Sequence, residues 1–346
     1  MLVLAVLAIS VAVMTSASGQ STARISGHLI NIGLALAVMV VMANVPPHLL
    51  SKAGPPLYVV GVVLLVGVAL FGEIRNGSRR WLDFGVIAFQ PSELLKLALP
   101  LMLAWYFQRN EAVLGSRHFA IGGILLLLPF LLILRQPDLG TALMIGASGF
   151  YLLFFAGLPW KVILAGGVLG GASLPLAWRF MHDYQQQRVL TLLDPSSDPL
   201  GAGYHIIQST IAIGSGGLFG KGWMEGTQNQ LDFIPERTTD FIFAVFGEEF
   251  GYVGAILLAA LYLAIVARGL TIAARAPTQF GRLMAATLSL NLFTYVFVNI
   301  GMVSGILPVV GVPLPLMSYG GTALVTLLLG MGILMSVATH RQLNKT

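Results

Sequence analysis

Long apolar runs recur from one end of this chain to the other. A helix that crosses a bilayer needs about 20 mainly apolar residues, and it satisfies its own backbone polar groups. Ten runs approach this length: 2–16, 25–44, 56–72, 92–107, 118–134, 139–157, 160–179, 241–267, 283–304 and 316–339. The pattern predicts an all-α, polytopic integral membrane protein with about ten transmembrane helices, organised as a single transmembrane domain over residues 1–346.

Charged residues are scarce, which agrees with a bilayer environment. Lys, Arg, Asp and Glu make up 10% of the chain, against about 25% in soluble globular proteins. This scarcity excludes a cytoplasmic enzyme and a disordered protein. The chain has no cysteine, so a disulfide-stapled secreted module is excluded as well. The basic residues are dispersed rather than gathered in a stripe, so we expect no nucleic acid as a partner.

Two motif searches exclude further classes of function. The glycine-rich stretch at 216–222 ends in Gly where a phosphate-binding loop needs Ser or Thr, so an ATP-driven pump has no support. The HExxH motif is missing and the six histidines are scattered, so a zinc site has no support either.

The distribution of Lys and Arg between the short loops predicts the orientation. With the amino terminus in the cytoplasm, the cytoplasmic side holds nine basic residues: Lys52, Arg109, Arg117, Lys161, Arg268, Arg275, Arg282, Arg341 and Lys345. The other side then holds five in its short loops: Arg24, Arg75, Arg79, Arg80 and Arg135. Both termini are cytoplasmic in this arrangement. The first run lacks a basic leader and is short, so we expect the native chain to begin earlier.

One segment, about residues 180–240, is too long for an ordinary connection and contains no run long enough to span a bilayer. It precedes the eighth apolar run, so the predicted orientation makes it a long extracytoplasmic loop. Ile207 and Ile211 are four residues apart in it, a spacing that predicts a short helix lying in the membrane interface.

Charged residues at membrane depth are costly, so each one is a candidate for function. Glu93 and Lys96 open the fourth run at a spacing that places both on one helical face, within ion-pair reach. The pair is either a structural tether between helices or part of a water-filled cavity that holds a charged substrate group. The residues alone leave these two readings evenly balanced.

Three further acids lie at or inside apolar runs. Asp138 opens the sixth run, where it either caps the helix or pairs with Arg135, and capping is favoured. Glu248 and Glu249 lie inside the eighth run and point about 100° apart on a helix. We therefore expect them to have different partners, with one facing a cavity and the other meeting a donor on a neighbouring helix.

Asp240 is the strongest candidate for chemistry. It follows Thr238 and Thr239, which are candidate N-caps, and it precedes the apolar run from Phe241. This pattern predicts that Asp240 lies in the first turn of a transmembrane helix near the outer surface, where the helix dipole lowers its pKa. Simple capping is the alternative. A carboxylate that the two threonines leave free can accept a proton or bind a cation.

The stretch 299–325 cannot form one continuous helix, because it contains Pro308, Pro313 and Pro315. Irregular backbone at membrane depth is tolerated where protein buries it or where it lines a cavity. The predicted orientation turns this break outward, together with Asp240 and the segments 79–81, 135–138 and 180–240. The sequence therefore places the chemistry at the outer leaflet.

Six blocks resemble the SEDS family (shape, elongation, division and sporulation) and follow the family order over nearly the whole chain. They are RRW at 79–81, QPSELLKLALP at 90–100, RQPDLGTA at 135–142, AIGSGGLFGKG at 212–222, FIPERTTDFIFAVFGEEFG at 233–251 and GILPVVGVPLPLMSYGGT at 305–322. The segments 201–209 and 299–316 look more like the rod-shape elongation (RodA) branch than the cell-division (FtsW) branch.

The resemblance implies a peptidoglycan glycosyltransferase that polymerises lipid II at the outer face of the bacterial cytoplasmic (inner) membrane. It implies a class B penicillin-binding protein and the elongation machinery as partners. It also implies an undecaprenyl-linked substrate, which reaches the site from the lipid of the membrane. Asp240 matches the family's catalytic aspartate. Trp81, Glu93 and Lys96 match residues that are functionally important in the family.

The chemistry of an inverting transfer assigns further roles. A general base must take the proton of the attacking hydroxyl, and positive charge must stabilise the departing pyrophosphate. Asp240 is the base, or it binds a divalent cation, Mg²⁺ or Mn²⁺. The candidates for binding substrate or lining its cavity are Arg79, Arg80, Trp81, Glu93, Lys96, Lys221, Ser318 and Tyr319. Two alternatives remain open: a transporter that flips lipid II, and a non-catalytic scaffold that activates a penicillin-binding protein.

Overall fold

The computed structural model describes residues 1–75, 78–83, 88–136, 138–181, 183–198 and 201–340, and helices dominate them. The helices are α1 (Leu2–Ala17), α2 (Thr22–Ala43), α3 (Pro47–Phe71), α4 (Pro91–Arg109), α5 (Ser116–Leu134), α6 (Leu139–Phe155), α7 (Trp160–Phe180), α8 (Asp183–Leu193), α9 (Ala202–Ser215), α10 (Thr227–Gln230), α11 (Ile242–Ala274), α12 (Gln279–Val303) and α13 (Gly321–Thr339). Two of the residues predicted to be cytoplasmic, Arg341 and Lys345, lie outside the described residues.

Helices occupy all ten positions predicted from the apolar runs. Six of them, α2, α3, α5, α11, α12 and α13, are long and apolar enough to cross a membrane. The shorter apolar helices are α1, α6 and the first part of α7. The remaining position is α4, which carries Glu93 and Lys96. The prediction of a polytopic membrane protein is confirmed.

The segment predicted as one long loop contains three helices, α8, α9 and α10. Ile207 and Ile211 lie in α9, where their spacing predicted a helix. Helices α8 and α10 were not predicted from the sequence. Four-residue α10 is too short to show an apolar period, and α8 is mainly polar.

A small antiparallel sheet connects α3 to α4, which the all-α prediction missed. Its strands are β1 (Glu73–Arg75), β2 (Ser78–Asp83) and β3 (Ala88–Phe89), in the order β1-β2-β3. Trp81 of β2 lies opposite Glu73, and Arg79 lies opposite Ile74. Strands of two to six residues are too short to reveal an alternating pattern.

The chain divides into two compact units. Unit 1 comprises Met1–Ser26, Gly157–Leu261 and Val296–Tyr319, and unit 2 comprises Gly27–Ala156, Tyr262–Tyr295 and Gly320–Thr346. Within unit 2, α3 packs closely on α4, because a Cβ added at Gly54 would lie 2.8 Å from the backbone of Leu101. Within unit 1, α1 is tied to the segment before α13 by a hydrogen bond from Ser10 Oγ to the Met317 carbonyl, at 3.1 Å. The single-domain organisation stays a prediction.

The helical ladder of α11 is broken at Gly251, whose φ of 64° and ψ of −165° are not helical. A break of this kind leaves carbonyl groups without intrahelical partners. The carbonyl of Glu248 accepts a hydrogen bond from Lys221 N at 3.0 Å, and that of Glu249 accepts one from Gly222 N at 3.1 Å. The loop after α9 therefore supplies the missing donors.

The same loop also serves the second half of α11. The amides of Tyr252 and Val253 donate to the carbonyls of Gly217 and Leu218, at 2.9 and 3.0 Å. Residues 217–222, which we call the insert loop, thus replace hydrogen bonds on both sides of the break. The apolar run 241–267 predicted one uninterrupted helix, and the structure corrects that prediction at this point.

Candidate functional site

Asp240 lies in the turn before α11, two residues ahead of Ile242, rather than in the first turn of the helix. Thr239, predicted as a cap, instead donates through its hydroxyl to the Glu236 carbonyl at 3.2 Å and to the Glu236 carboxylate at 2.9 Å. The amide of Phe241 also donates to the Glu236 carbonyl, at 3.3 Å. A turn built around Glu236 therefore presents the half-buried Asp240 side chain.

Asn299 of α12 fixes the backbone at Asp240. This fully buried side chain donates through Nδ2 to the carbonyl of Asp240 at 2.8 Å and to that of Val312 at 2.7 Å. Val312 follows Gly311, where an added Cβ would lie 3.5 Å from Asp240 Oδ2. The irregular segment predicted from its prolines therefore faces the Asp240 carboxylate directly.

Ser318 and Tyr319, both predicted to line the site, hold the residues that precede Asp240. The buried hydroxyl of Ser318 donates to the Thr239 carbonyl at 2.6 Å and accepts a hydrogen bond from Leu314 N at 2.8 Å. The amide of Tyr319 donates to the Thr238 carbonyl at 2.8 Å. These contacts give both residues a positioning role beside the carboxylate.

The pKa of Asp240 is raised to about 6, mainly by burial and secondly by the negative charge of Glu236. This shift is opposite to the lowered pKa that the dipole of α11 predicted. Because Asp240 precedes the helix, desolvation raises its pKa by more than the helix dipole lowers it. A carboxylate with this pKa is largely ionised at neutral pH and is a stronger base than an ordinary aspartate.

His205 of α9 is a further titratable group in this region, and the sequence analysis did not single it out. Its ring centroid lies 5.4 Å from that of Phe241, the residue after Asp240. Burial lowers the pKa of His205, although the charges of Glu236 and Asp198 act in the opposite direction. The imidazole is therefore neutral at neutral pH.

Lys221, predicted to bind substrate, makes its contacts within the insert loop region. Its ammonium group lies 2.7 Å from both Glu248 Oε1 and Thr227 Oγ1. The fully buried Glu248 carboxylate also accepts hydrogen bonds from the amides of Gln228 and Asn229, at 2.9 and 3.2 Å. These contacts attach the insert loop and α10 to α11.

Glu249 meets a different partner from Glu248, as predicted. Its carboxylate accepts a hydrogen bond from the hydroxyl of Ser16 on α1, so the expected donor on a neighbouring helix is confirmed. The cavity expected for the other acid is not found at Glu248, because its carboxylate is fully buried and bonded to the insert loop region. Both acids therefore hold unit 1 together.

In unit 2, Glu93 and Lys96 form the predicted ion pair, with Lys96 Nζ 2.5 Å from Glu93 Oε1. The side chains are 13% and 15% exposed, so the pair lies mostly out of water. Lys96 also lies 5.7 Å from the ring centroid of Tyr295 on α12. Tyr295 is thus a neighbour of the pair that the sequence analysis did not identify.

Asp138 caps α6, as predicted, by accepting a hydrogen bond from Thr141 N at 3.0 Å. Its second carboxylate oxygen lies 3.7 Å from a guanidinium nitrogen of Arg80 and 3.4 Å from Gln90 Nε2. Tyr295 lies within electrostatic reach of Asp138 as well as of Glu93 and Lys96. The α4 cluster consists of Arg80, Gln90, Glu93, Lys96 and Asp138.

Trp81 and Arg79 belong to β2, next to Arg80. Trp81 is half-buried. The side chain of Arg79 lies outside the part of the chain that the structure describes. The predicted site residues of unit 2 are thus Arg79 and Trp81 in β2 and Arg80, Glu93 and Lys96 in the α4 cluster. In unit 1, Lys221 lies apart at the insert loop, and Asp240, Ser318 and Tyr319 belong to the Asp240 cluster, together with Glu236 and Asn299.

The Asp240 cluster offers hard oxygen ligands to a divalent cation through the carboxylates of Asp240 and Glu236. Among the described residues, no group of three or more His, Asp or Glu side chains could hold a metal ion by itself. Mg²⁺ is commonly bound by one or two carboxylates together with water and substrate phosphates. Asp240 and Glu236 are the residues of this cluster that would hold such a cation.

Known proteins resemble this chain over almost its full length. The family model FTSW_RODA_SPOVE, described as a cell cycle protein, matches residues 1–343. The peptidoglycan glycosyltransferase MrdB of Escherichia coli (strain K12) is 55% identical, over 99% of this chain and 93% of that protein. The peptidoglycan glycosyltransferase RodA of Treponema pallidum (strain Nichols) is 34% identical, over 80% of each chain.

Solved structures show the same fold. A chain from a structure described as "Structural coordination of polymerization and crosslinking by a peptidoglycan synthase complex" matches with a TM-score of 0.85 and 35% identity, over 99% of this chain and 97% of that one. The rod shape determining protein RodA of Thermus thermophilus matches with a TM-score of 0.74 and 30% identity, over 99% and 95%. The chain therefore belongs to the FtsW, RodA and SpoVE family of cell cycle proteins, the SEDS family, and resembles its RodA members.

Proposed function

We propose that this protein is a peptidoglycan glycosyltransferase that joins lipid II units into glycan strands during cell-wall elongation and rod-shape maintenance. The observation that carries the proposal is Asp240, a half-buried carboxylate with a pKa of about 6 in a rigid backbone setting. The full-length similarity to the E. coli glycosyltransferase supports it.

Asp240 is the general base of this proposal. The 4-hydroxyl of one sugar attacks C1 of the lipid II sugar from the face opposite the pyrophosphate, which inverts that carbon. As the new C–O bond forms, Asp240 accepts the hydroxyl proton. The bond from C1 to the pyrophosphate oxygen breaks, and its electron pair leaves with undecaprenyl pyrophosphate. The raised pKa of Asp240 brings the base close to neutral pH, where proton transfer is most effective.

The departing pyrophosphate needs positive charge beside it. Arg79, Arg80 and Lys96 stay candidates on the sequence alone, because they belong to unit 2 and Asp240 belongs to unit 1. Within unit 2, the charge of Lys96 is partly offset by Glu93 and that of Arg80 by Asp138. A divalent cation, Mg²⁺ or Mn²⁺, would add positive charge at the pyrophosphate when held by Asp240 and Glu236. Asp240 would then bind the cation instead of taking the proton.

The setting of the reaction follows from the charge pattern and from the relatives. The excess of Lys and Arg in one set of short loops supports a bacterial cytoplasmic membrane location, with both termini inside and Asp240 outside. The similar chain in the peptidoglycan synthase complex supports a partner that crosslinks the strands, a class B penicillin-binding protein. The apolar outer surfaces of the helices suit the polyprenyl tail of the substrate.

Polymerisation of lipid II by the purified chain and its penicillin-binding partner, in detergent, tests the proposal. Because detergent removes the two compartments, a protein that only flips lipid II would yield no glycan polymer. If the partner alone produced the polymer, this chain would be a scaffold. We expect polymer from the pair and none with Asp240→Asn. Glu225→Gln removes an exposed acid of the same unit and is the matched control, which should keep full activity. Full activity in Asp240→Asn, with the fold intact, would refute the role of Asp240.

A chelator separates the two roles of Asp240. Activity that persists in excess EDTA supports the general base. Activity that is lost in EDTA and restored by Mg²⁺ or Mn²⁺ supports cation binding, and binding of Mn²⁺ to wild type but not to Asp240→Asn would then place the cation at this residue.

A further inference from the structure

Unit 2 contains a cavity of about 850 Å³ at the end of α4 that lies farthest from Glu93 and Lys96. The amino ends of α3 and α12 and the carboxyl ends of α4 and α13 surround it. Its volume falls in the range of roughly 300–1,000 Å³ that is usual for ligand sites. Helix α4 has 19 residues, so about 28 Å of helix separates this cavity from the start of α4. The cavity therefore lies at the opposite membrane surface from the α4 cluster.

The lining of this cavity is basic. Lys52 and Arg109 contribute full positive charges, and His48 and His340 contribute imidazole rings. Among the described residues that line the cavity, none is Asp or Glu. The acid Glu111, two residues beyond Arg109 in the chain, is engaged with Arg282 at 3.4 Å. The lining thus attracts an anion.

Two helix amino ends add to this positive field. Helices α3 and α12 are 25 residues long, and both begin at the cavity, through Pro46 and Pro47 and through Pro277 and Thr278. The first amides of a helix have no intrahelical acceptor and carry partial positive charge. Thr278 Oγ1 satisfies one of them, Gly281 N, at 3.1 Å. Anions are stabilised where several such ends and basic side chains converge.

Gln108 is a polar residue of the cavity lining that can bind a ligand. The Oε1 atom of Gln108 is buried and has no hydrogen-bond partner among the described residues. The O and N positions of a side-chain amide are set by its surroundings, so this group can accept from or donate to a ligand. Gln108 therefore offers a ligand a directional hydrogen bond in addition to the positive charge of the lining.

The remaining lining suits an amphipathic ligand at a membrane surface. The guanidinium of Arg109 lies 5.5 Å from the ring centroid of Trp105, and tryptophan is enriched where bilayer meets water. Phe280 and Val337 add apolar surface beside the basic residues. A free phosphate would use only the charges, whereas a lipid would use the charges and the apolar walls.

We propose that this cavity binds the headgroup of an anionic phospholipid from the adjacent leaflet, the cytoplasmic leaflet in the predicted orientation. The phosphate diester contacts Lys52 and Arg109, and the apolar part of the lipid lies against Trp105 and Phe280. Basic pockets between transmembrane helices at the cytoplasmic surface are typical sites for anionic headgroups. This site is separate from the proposed glycosyltransferase chemistry and does not depend on it.

Binding of a short-chain, fluorescent phosphatidylglycerol to the full chain in detergent tests this proposal. We expect saturable binding, and phosphatidylcholine of the same chain length should compete at least tenfold more weakly. Removing both cations in Lys52→Gln/Arg109→Gln should raise Kd about 25-fold, since each basic residue near an anionic headgroup contributes about fivefold. A change below twofold in this double variant would overturn the proposal.

A charge-matched control separates the cavity from the general surface charge. Arg117 and Arg275 are exposed, belong to the same predicted cytoplasmic side and do not line the cavity. We expect Arg117→Gln/Arg275→Gln to change Kd less than twofold. An equal loss in both double variants would assign the binding to the overall charge of that surface and refute the site.

Two further measurements keep the test decisive. Lys52→Arg keeps the charge and leaves the contact of Arg109 with Trp105 in place, so it should bind within about threefold of wild type, and loss of binding in this folded variant would contradict the charge argument. Inorganic phosphate or glycerol 3-phosphate should displace the lipid only at concentrations high enough to screen charge. Saturable displacement by either compound at micromolar concentration would identify a soluble phosphate as the ligand and overturn the lipid assignment.

Discussion

The side-chain nitrogen of Asn299 donates to the carbonyl oxygen of Asp240 at 2.8 Å and at the same time to the carbonyl of Val312 at 2.7 Å. One fully buried amide thus fixes the turn that carries Asp240 and the proline-rich segment that faces its carboxylate. The position of the proposed base is therefore set by α12, whereas the helix that follows Asp240 in the chain is α11.

We expect Asn299→Ala to lower both stability and turnover. The substitution leaves two carbonyls without their donor, at a cost of about 1–3 kcal/mol for each buried group left unsatisfied. It also frees the backbone of Asp240, so the polymerisation rate should fall at least tenfold well below the Tm. Asn291→Ala on the same helix removes a bond to Ser148 Oγ, at 3.0 Å, and is the matched control. If Asn299→Ala and Asn291→Ala have the same Tm and lose the same fraction of the polymerisation rate, Asn299 has no positioning role.

The polymerisation rate should follow the ionisation of Asp240. A base must be deprotonated, and the pKa of this carboxyl is raised to about 6, so kcat/KM should fall tenfold per pH unit below about pH 6. An ordinary aspartate would keep full activity down to about pH 5. Initial rates between pH 4.5 and 8, with Tm recorded at each pH, distinguish these cases. A flat profile down to pH 5 would contradict the raised pKa.

Asp240→Asn should stabilise the protein while it abolishes activity. The folded-state pKa of Asp240 is raised above the unfolded value, so ionisation favours the unfolded chain as pH rises from about 4 through 6. A neutral amide removes this cost, on the order of 1–3 kcal/mol at neutral pH. We expect a higher Tm at pH 7.5 and a smaller increase at pH 4.5, where only part of this cost is present. Glu225→Gln should change the Tm at neither pH, and a lower Tm for Asp240→Asn at pH 7.5 would be inconsistent with a desolvated carboxylate.

Gly251→Ala should be among the most damaging glycine substitutions in unit 1. A Cβ at Gly251 would lie 2.3 Å from Gly220 N and 2.8 Å from the Leu218 carbonyl, both backbone atoms that cannot move aside alone. The φ of 64° adds about 1–3 kcal/mol of strain for alanine. We expect failure to fold or a Tm loss of many degrees. Gly166→Ala in α7, whose Cβ would meet no atom within 4 Å, should leave the Tm unchanged or raise it, and the same result for Gly251→Ala would refute the packing of the insert loop.

The transmembrane helices were predictable because apolar length alone determines which segments can cross a bilayer. The Glu93–Lys96 pair and the Asp138 cap were predictable for a similar reason, since their geometry follows from helical spacing within one element. Features of this kind can be predicted because they depend mainly on residues within one segment of the chain.

The contacts that shape the site were not predictable, because they join residues far apart in the chain. Asn299 and Asp240 are 59 residues apart, and nothing in their local sequence pairs them. The raised pKa of Asp240 depends on burial by the folded chain, which no local pattern measures. Lys221 was predicted only as a substrate-binding residue, since its partner Glu248 lies 27 residues away.

The break at Gly251 has a mechanical consequence. An unbroken helix behaves as a stiff rod, so a tilt imposed on its membrane-embedded end is transmitted to the other end. In α11 the rod is interrupted, and the insert loop binds both broken ends through separate hydrogen bonds. The direction of the longer part is therefore set by the insert loop, while Asp240 is held separately through Asn299 and Ser318. Helix α11 therefore carries its two ends in independent directions, and the position of the proposed base depends on α12 and on the segment before α13.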